Sequence, residues 1–167
     1  DWVKNAINNQ DFFKREKGVI KATNEEHLKE LINIGRLLVG GEGNYNWIDT
    51  SELHTLNCVF INNKWFNGYI DLWDTSSVVT MDGLFWHAEA FNRPIGNWDV
   101  SRVKIMCELF YGAKSFNQPI GDWDVSNVKC MRCMFRDAHK FNQSIGDWKV
   151  SRVTNMEAMF CKAYEFN

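Results

Sequence analysis

Large apolar residues return along most of this chain at a fixed interval of 25 residues. One position of each interval holds tryptophan, two hold phenylalanine and one holds methionine, and serine and asparagine hold two further positions. Such self-similarity is the signature of a repeat array, in which each short unit buries its apolar side against its neighbours. The recurring residues are Trp73, Trp98, Trp123 and Trp148; Phe60, Phe85, Phe110, Phe135 and Phe160; Phe66, Phe91, Phe116, Phe141 and Phe166; Met81, Met106, Met131 and Met156; Ser51, Ser76, Ser101, Ser126 and Ser151; and Asn67, Asn92, Asn117, Asn142 and Asn167.

The pattern within one unit predicts two elements. At 122–126, apolar Trp123 and Val125 alternate with polar residues, which predicts a short strand. At 128–135, apolar residues are spaced by three, which predicts a helical or 3₁₀ turn. We therefore predict a repeat solenoid, a leucine-rich-repeat-like parallel β-solenoid with short helical or 3₁₀ turns. Residues 48–167 would form about five 25-residue repeats, the last of them incomplete.

Residues 1–47 do not repeat, and we expect them to cap the array as an N-terminal α-helical segment. Thr23 and Glu26 form a capping-box pattern, and the leucine and isoleucine residues that follow have helical spacing. Two glycines, Gly40 and Gly41, are suited to end that helix. The predicted N-terminal elements are a helix at 2–17, a strand at 18–21 and a helix at about 24–39.

The composition narrows the functional class. A net charge of −2 and 45% hydrophobic residues fit a chain with a sizeable core. Basic and acidic side chains are balanced in the N-terminal part and nearly balanced in the repeats, so the basic stripe of a nucleic-acid binder is missing. The sequence has no apolar run long enough to span a membrane, and no catalytic set of Ser, His, Asp or Cys recurs. We expect no enzyme activity, no cofactor, no metal, no nucleic-acid partner and no direct membrane insertion. The sequence begins at Asp1 without a methionine, so a preceding targeting segment stays open.

Aspartates form a candidate contact surface at one corner of the predicted repeats. Several of them share one position of the repeat, and two more lie two residues ahead of that position. Stacked carboxylates could hold Ca²⁺ or meet a basic partner. The alternative is local, because an aspartate two residues before a serine can accept backbone hydrogen bonds and fix a turn. The candidate ligand contacts are Asp74, Asp99, Asp122, Asp124, Asp147, Arg102 and Arg152.

The tryptophan and asparagine ladders are expected to be structural. Large aromatic residues at a fixed repeat position are typical of a core. Stacked asparagine side chains can bond one another and the corner backbone, so we expect them to be buried.

Five cysteines are present. Cys130 and Cys133 have the spacing of zinc ligands, but a second such pair is missing. Cys58 shares the repeat position of Cys133 three repeats earlier, which is too far for a disulfide at strand spacing. We expect mainly free thiols, with a metal site or one disulfide as the alternative. Unpaired thiols favour a reducing compartment.

The segment FNQPIGDWDVSNV, followed by M-x-x-M-F-x-x-A, resembles the repeat of BspA-like leucine-rich repeat surface proteins. The resemblance covers roughly residues 18–167. It implies a surface-exposed adhesion or interaction protein without a catalytic motif. We therefore expect a non-enzymatic binding or adhesion module, part of a larger chain or complex, that presents an extended repeat surface to a protein or glycan partner.

Two alternatives to this function stay open. One is a structural or scaffold subunit of a large intracellular or viral assembly, which unpaired cysteines favour. The other is an enzyme whose catalytic domain lies outside these residues. The location is correspondingly open between the cell surface, implied by the resemblance, and an intracellular or virion interior, favoured by the cysteines.

Overall fold

The computed structural model describes residues 20–167. This range contains one α-helix and one two-stranded parallel sheet. In chain order the elements are β1 (Ile20–Lys21), α1 (Glu25–Val39) and β2 (Ile48–Asp49). In the sheet, Ile20 lies opposite Ile48 and Lys21 lies opposite Asp49. The predicted helix at 2–17 and the first half of the predicted strand at 18–21 lie outside the described residues.

Helix α1 agrees with the helix predicted at about 24–39. Its N-cap is Asn24 rather than Thr23, because the Asn24 Oδ1 accepts the His27 N–H at 2.9 Å. The helix ends at Gly40, whose φ of 74° suits glycine and whose N–H donates to the Arg36 carbonyl. Its buried face is closely packed, and a Cβ added at Gly35 would lie 2.5 Å from the Tyr45 ring. The Glu25 Oε1 also accepts the Asn57 N–H at 2.6 Å, so the helix lies against the first repeat.

The prediction of a β-solenoid is wrong. After β2, residues 50–167 contain no strand and no 3₁₀ turn. Neighbouring repeats meet instead at single bridging residues, so that no run of paired residues is long enough to form a strand. The bridges are parallel and join Thr55 to Thr80, Thr80 to Ile105, Ile105 to Cys130, and Cys130 to Asn155.

Alternating backbone hydrogen bonds explain why neither predicted element forms. The Cys133 N–H donates to the Glu157 carbonyl of the next repeat at 2.9 Å. The following N–H, that of Met134, donates to the Met131 carbonyl of its own repeat at 3.2 Å. A strand needs a run of bonds to a neighbour, and a 3₁₀ helix needs consecutive local bonds. The repeats are therefore turn-rich units, stacked through local and inter-repeat bonds in alternation.

The strand predicted at 122–126 is replaced by turns on both sides of Val125. The Trp123 N–H donates to the Ile120 carbonyl at 3.2 Å, and the Val128 N–H donates to the Val125 carbonyl at 2.9 Å. The apolar and polar alternation still separates buried from exposed side chains. It predicted the burial correctly and the backbone partners wrongly, because each of those bonds spans only three residues of the chain.

Two positions of each repeat lie in the left-handed backbone region, with φ of 52–58° at the first and 53–68° at the second. Side-chain-bearing residues rarely adopt this region, and here the stacked neighbours hold them in it. The residue at the first position also interrupts the predicted helical turn, as Cys133 does within 128–135. The residues are Cys58, Gly83, Glu108, Cys133 and Ala158 at the first position, and Asn62, His87, Gly112, Asp137 and Lys162 at the second.

The core is a set of aromatic columns that run through the stack. Phe85 and Phe110 have ring centres 5.5 Å apart and planes within 1°. The Trp73 and Trp98 rings are also parallel, with centres 6.5 Å apart and planes within 2°, and Trp98 is only 3% exposed. The Trp98 Nε1 also donates to the carbonyl of Ile70, 28 residues earlier in the chain, at 3.1 Å. The prediction that the tryptophan ladder belongs to the core is confirmed.

The asparagine ladder ties each repeat to the next. The Asn92 N–H donates to the Asn67 Oδ1, and the Asn117 N–H donates to the Asn92 Oδ1, both at 2.9 Å. The same bond recurs between Asn142 and Asn117 at 2.9 Å. These bonds join a side chain to the backbone, so they confirm the expected bonding to the corner backbone and not the expected bonding between asparagine side chains. The expected burial is wrong, because the ladder lies at the rim of the stack, where Asn67 to Asn117 are half-buried and Asn142 is exposed.

Candidate binding surface

The aspartates predicted as ligand contacts act first as turn-forming residues. The Asp74 Oδ1 accepts the Ser76 N–H at 3.0 Å and the Ser76 hydroxyl at 2.6 Å. Asp99 accepts the Ser101 N–H at 2.9 Å in the next repeat. These bonds match the local alternative for the aspartate ladder, in which the carboxylate fixes a corner.

Asp124 repeats this geometry, since its Oδ1 accepts the Ser126 N–H at 3.1 Å. Hydrogen bonds from Ser126 and the charge of Lys149 hold the pKa of the Asp124 carboxyl below its usual value. The carboxylate therefore stays charged at the protein surface.

Asp122 and Asp147 are both exposed and line an open cavity of about 380 Å³ next to Asp124 and Lys149. Lys149 shares this cavity and supplies a positive charge among the three carboxylates. Within residues 20–167, no group of three His, Cys, Asp or Glu side chains is placed to hold a metal ion.

The two predicted arginines lie on the same exposed corner. Arg102 is exposed, and the Arg152 guanidinium donates to the Asn127 Oδ1 of the preceding repeat at 2.8 Å. The structure thus brings three of the predicted aspartates to one cavity. It leaves Asp74, Asp99 and the arginines distributed along the corner.

The expectation of free thiols is wrong for two of the five cysteines. Cys107 and Cys130, in neighbouring repeats, form a disulfide with a Cα–Cα distance of 5.6 Å. The three others, Cys58, Cys133 and Cys161, are free. The pair is 23 residues apart in the sequence, two short of the repeat interval. A comparison of equivalent repeat positions therefore misses it.

A second surface, which the sequence reasoning missed, runs along one side of the stack. We call it the lateral face, and it comprises the residues one, two and four positions after the first phenylalanine of each repeat. Backbone bonds connect its rows, for example from the Asn62 N–H to the Trp86 carbonyl and from the His87 N–H to the Tyr111 carbonyl, both 2.7 Å. Its residues are Ile61, Asn62, Lys64, Trp86, His87, Glu89, Tyr111, Gly112, Lys114, Arg136, Asp137, His139, Cys161, Lys162 and Tyr164.

Aromatic rings and one guanidinium form the centre of the lateral face. The Tyr111 ring is roughly perpendicular to the Trp86 ring, with centres 5.7 Å apart, and to the His87 ring, with centres 5.1 Å apart. The Arg136 guanidinium carbon lies 5.5 Å from the centre of the Tyr111 ring, which is a cation–π contact. Trp86, Tyr111 and Arg136 are half-buried, so each remains reachable from solvent.

Charged side chains surround this centre. Glu89 lies between Lys64 at 3.1 Å and Lys114 at 3.0 Å, and these lysines lower the pKa of its carboxyl. The Asp137 carboxylate lies 3.6 Å from the Arg136 Nε and 3.8 Å from the Lys162 Nζ. The lateral face carries four basic and two acidic side chains, whereas the whole chain has a net charge of −2. It is therefore a locally positive surface on an acidic protein.

The sequence contained one signal for this face. Trp86 and Tyr111 occupy a repeat position at which other repeats hold isoleucine, arginine or cysteine. An aromatic residue that the repeat pattern does not require is a candidate for function rather than for the core.

The fold and its surfaces define a stacked-repeat protein, in which constant positions form the core and changing positions lie outside. A family model described as "Mycoplasma protein of unknown function, DUF285" matches residues 39–129 and 94–167. The chain belongs to this family, whose description assigns no activity. No curated protein and no solved structure matches the chain. In residues 20–167 the structure has no helix with the length and apolar character needed to cross a membrane.

Proposed function

We propose that this chain is a non-enzymatic binding module that presents an extended repeat surface to a protein or glycan. The observation that carries this proposal is that the buried positions of the repeat keep the same residue types, whereas the positions on the lateral face vary. Phenylalanine and tryptophan return at the buried positions, whereas the lateral face changes from isoleucine to tryptophan, tyrosine, arginine and cysteine in successive repeats. Stacked repeats of this kind create extended surfaces whose side chains vary independently of the core.

The resemblance of the repeat sequence to BspA-like surface proteins supports the same class of function. Those proteins are described as surface-exposed adhesion or interaction proteins. The support is associational, because function belongs to a site and not to a repeat.

The alternative role in an intracellular or viral assembly depended on unpaired cysteines. Because Cys107 and Cys130 are bonded to each other, that support is reduced to three thiols. Disulfides of this kind are typical of oxidising environments. We therefore put forward the binding module alone.

Saturable binding tests the proposal. The folded chain, immobilised through a terminal tag, is presented to a glycan array and to a display library of linear peptides. The control is the same chain after reduction and denaturation. Saturable binding that the denatured chain lacks is the expected result. Absence of such binding from both collections would overturn the proposal.

A further inference from the structure

We propose that the lateral face is a docking surface for an acidic segment of a protein partner. This inference rests on the proposed function and makes it specific, since it names both the surface and the chemistry of the partner. It also transfers the contact role from the aspartate corner to a surface of opposite charge.

The residue types at the centre of the face are those that dominate binding energy in protein interfaces. Trp86, Tyr111 and Arg136 occupy the same position of three consecutive repeats. Tryptophan, tyrosine and arginine are enriched among the few interface residues that carry most of the affinity. The contacts of Tyr111 with its neighbours hold the rings and the guanidinium in place before binding, which lowers the entropy lost on association.

The charge of the face specifies an acidic partner. Lys64, Lys114 and Lys162 have exposed side chains, and 38% of the Arg136 side chain is accessible. Only two carboxylates, Glu89 and Asp137, lie among these four cations. An acidic segment would complement this excess, and the planar guanidinium can donate two parallel hydrogen bonds to one carboxylate.

The ring geometry favours a protein segment over a glycan. A sugar ring stacks on an open aromatic face, but the Arg136 guanidinium lies over one face of the Tyr111 ring. The Trp86 and His87 rings pack against the same ring at interplanar angles of 77° and 88°. The guanidinium and the mixed aromatic rings instead suit carboxylates and apolar side chains that alternate along an extended peptide.

The test is selection of linear peptides on the folded chain, followed by measurement of their affinity by fluorescence anisotropy. Arg136→Glu reverses a charge at the centre of the face, and Tyr111→Ala removes the ring beneath it. Lys104→Glu is the matched control, since it makes the same change of charge at an exposed residue outside the face. Urea unfolding establishes that each variant is folded.

We expect the selected peptides to combine Asp or Glu with apolar residues and to bind more weakly as salt rises. Arg136→Glu is expected to weaken binding at least about tenfold, and Lys104→Glu less than about twofold. Equal losses of peptide affinity in both variants, or an unchanged affinity in Arg136→Glu, would show that the lateral face is not the docking surface, while the proposed binding function would stand. If no peptide is selected and Arg136→Glu abolishes the binding of a glycan, the partner of the lateral face is a glycan and the proposed protein partner is wrong. No binding of peptides or glycans would overturn the inference and the proposed function together.

Discussion

Substitution of Gly121 by alanine should destabilise the protein by forcing two neighbouring repeats apart, and it therefore tests how closely the repeats are stacked. An alanine Cβ at this position would lie 2.6 Å from the Ser144 carbonyl oxygen of the next repeat. That distance is well inside the contact distance of carbon and oxygen. The atom it meets is backbone, so relief requires two repeats to move apart. Gly96 is in the same situation, with the Pro119 carbonyl oxygen 2.5 Å from its Cβ position.

Gly146 holds the equivalent position one repeat later, and in this 167-residue chain nothing lies within 4 Å of its Cβ position, so that chain offers it as the matched control. Neither Gly121 nor Gly146 has a left-handed φ, so alanine meets no backbone strain at either. Alanine then stabilises by about 0.4–1 kcal/mol through the unfolded chain. Overpacking of the kind expected at Gly121 costs about 1–3 kcal/mol. The two substitutions should therefore change the free energy of unfolding with opposite signs.

Urea unfolding followed by tryptophan fluorescence measures this difference. We expect Gly121→Ala to lower the midpoint, Gly146→Ala to leave it unchanged or raise it, and the slope to stay constant. Gly96→Ala should behave as Gly121→Ala does. If Gly121→Ala is as stable as Gly146→Ala, the close approach of neighbouring repeats described above is incorrect.

Three further predictions concern the core, the disulfide and one carboxyl group. Trp123→Ala should lower the free energy of unfolding by about 3–5 kcal/mol because the side chain is 4% exposed, and a loss below about 1 kcal/mol in urea unfolding would contradict its core position. Reduction of the Cys107–Cys130 bond should lower the free energy of unfolding by about 3 kcal/mol for the 23-residue separation. The stability of the variant with serine at both positions should not respond to reductant. Equal midpoints of urea unfolding with and without reductant would argue against the bond. Burial, and then the charge of Glu108, raise the pKa of the Asp82 carboxyl. The contribution of this carboxyl to the stability of the folded protein therefore falls as the pH rises from its ordinary pKa through the raised one. Asp82→Asn should therefore stabilise the protein at neutral pH and lose this advantage in acid, as thermal unfolding across pH would reveal.

The helix and the core could be predicted from the sequence because both depend on side-chain periodicity. The sequence carries a capping box at Thr23 and Glu26, helical spacing and a terminal glycine, and α1 occupies Glu25–Val39, with its N-cap one residue later than that box indicates. Trp98 returns at a fixed position among other apolar ladders and is buried. These signals lie within one segment or one repeat position.

The backbone of the repeats could not be predicted in the same way. The alternation of apolar and polar residues around Trp123 shows which side chains are buried. It does not show which carbonyl accepts the hydrogen bond from the Trp123 N–H. Nothing in a cysteine or glutamate signals a left-handed φ, yet Cys133 and Glu108 both adopt one. The stacked neighbours impose that conformation, and it excludes the strands and 3₁₀ turns that local pattern favoured.

The two surfaces differ in the same way, because one follows from a local sequence signal and the other from contacts between repeats. Aspartate two residues before serine is a local signal, and Asp74 and Asp99 form the turns it indicates. The lateral face depends on contacts across repeats, such as that of Tyr111 with Arg136, which neighbouring positions in the sequence do not reveal. The Cys107–Cys130 bond was missed for the same reason.

The asparagine ladder also determines how such a chain can change length. Each Oδ1 accepts the backbone N–H of the asparagine 25 residues later, as in Asn67 with Asn92 and Asn117 with Asn142. Duplication or loss of one whole repeat would leave every such bond between equivalent partners. A deletion of any other length would put another residue opposite the amide and break the match. Only a gain or loss of whole repeats therefore preserves the ladder, and such a change alters the exposed side chains while the interior stays the same.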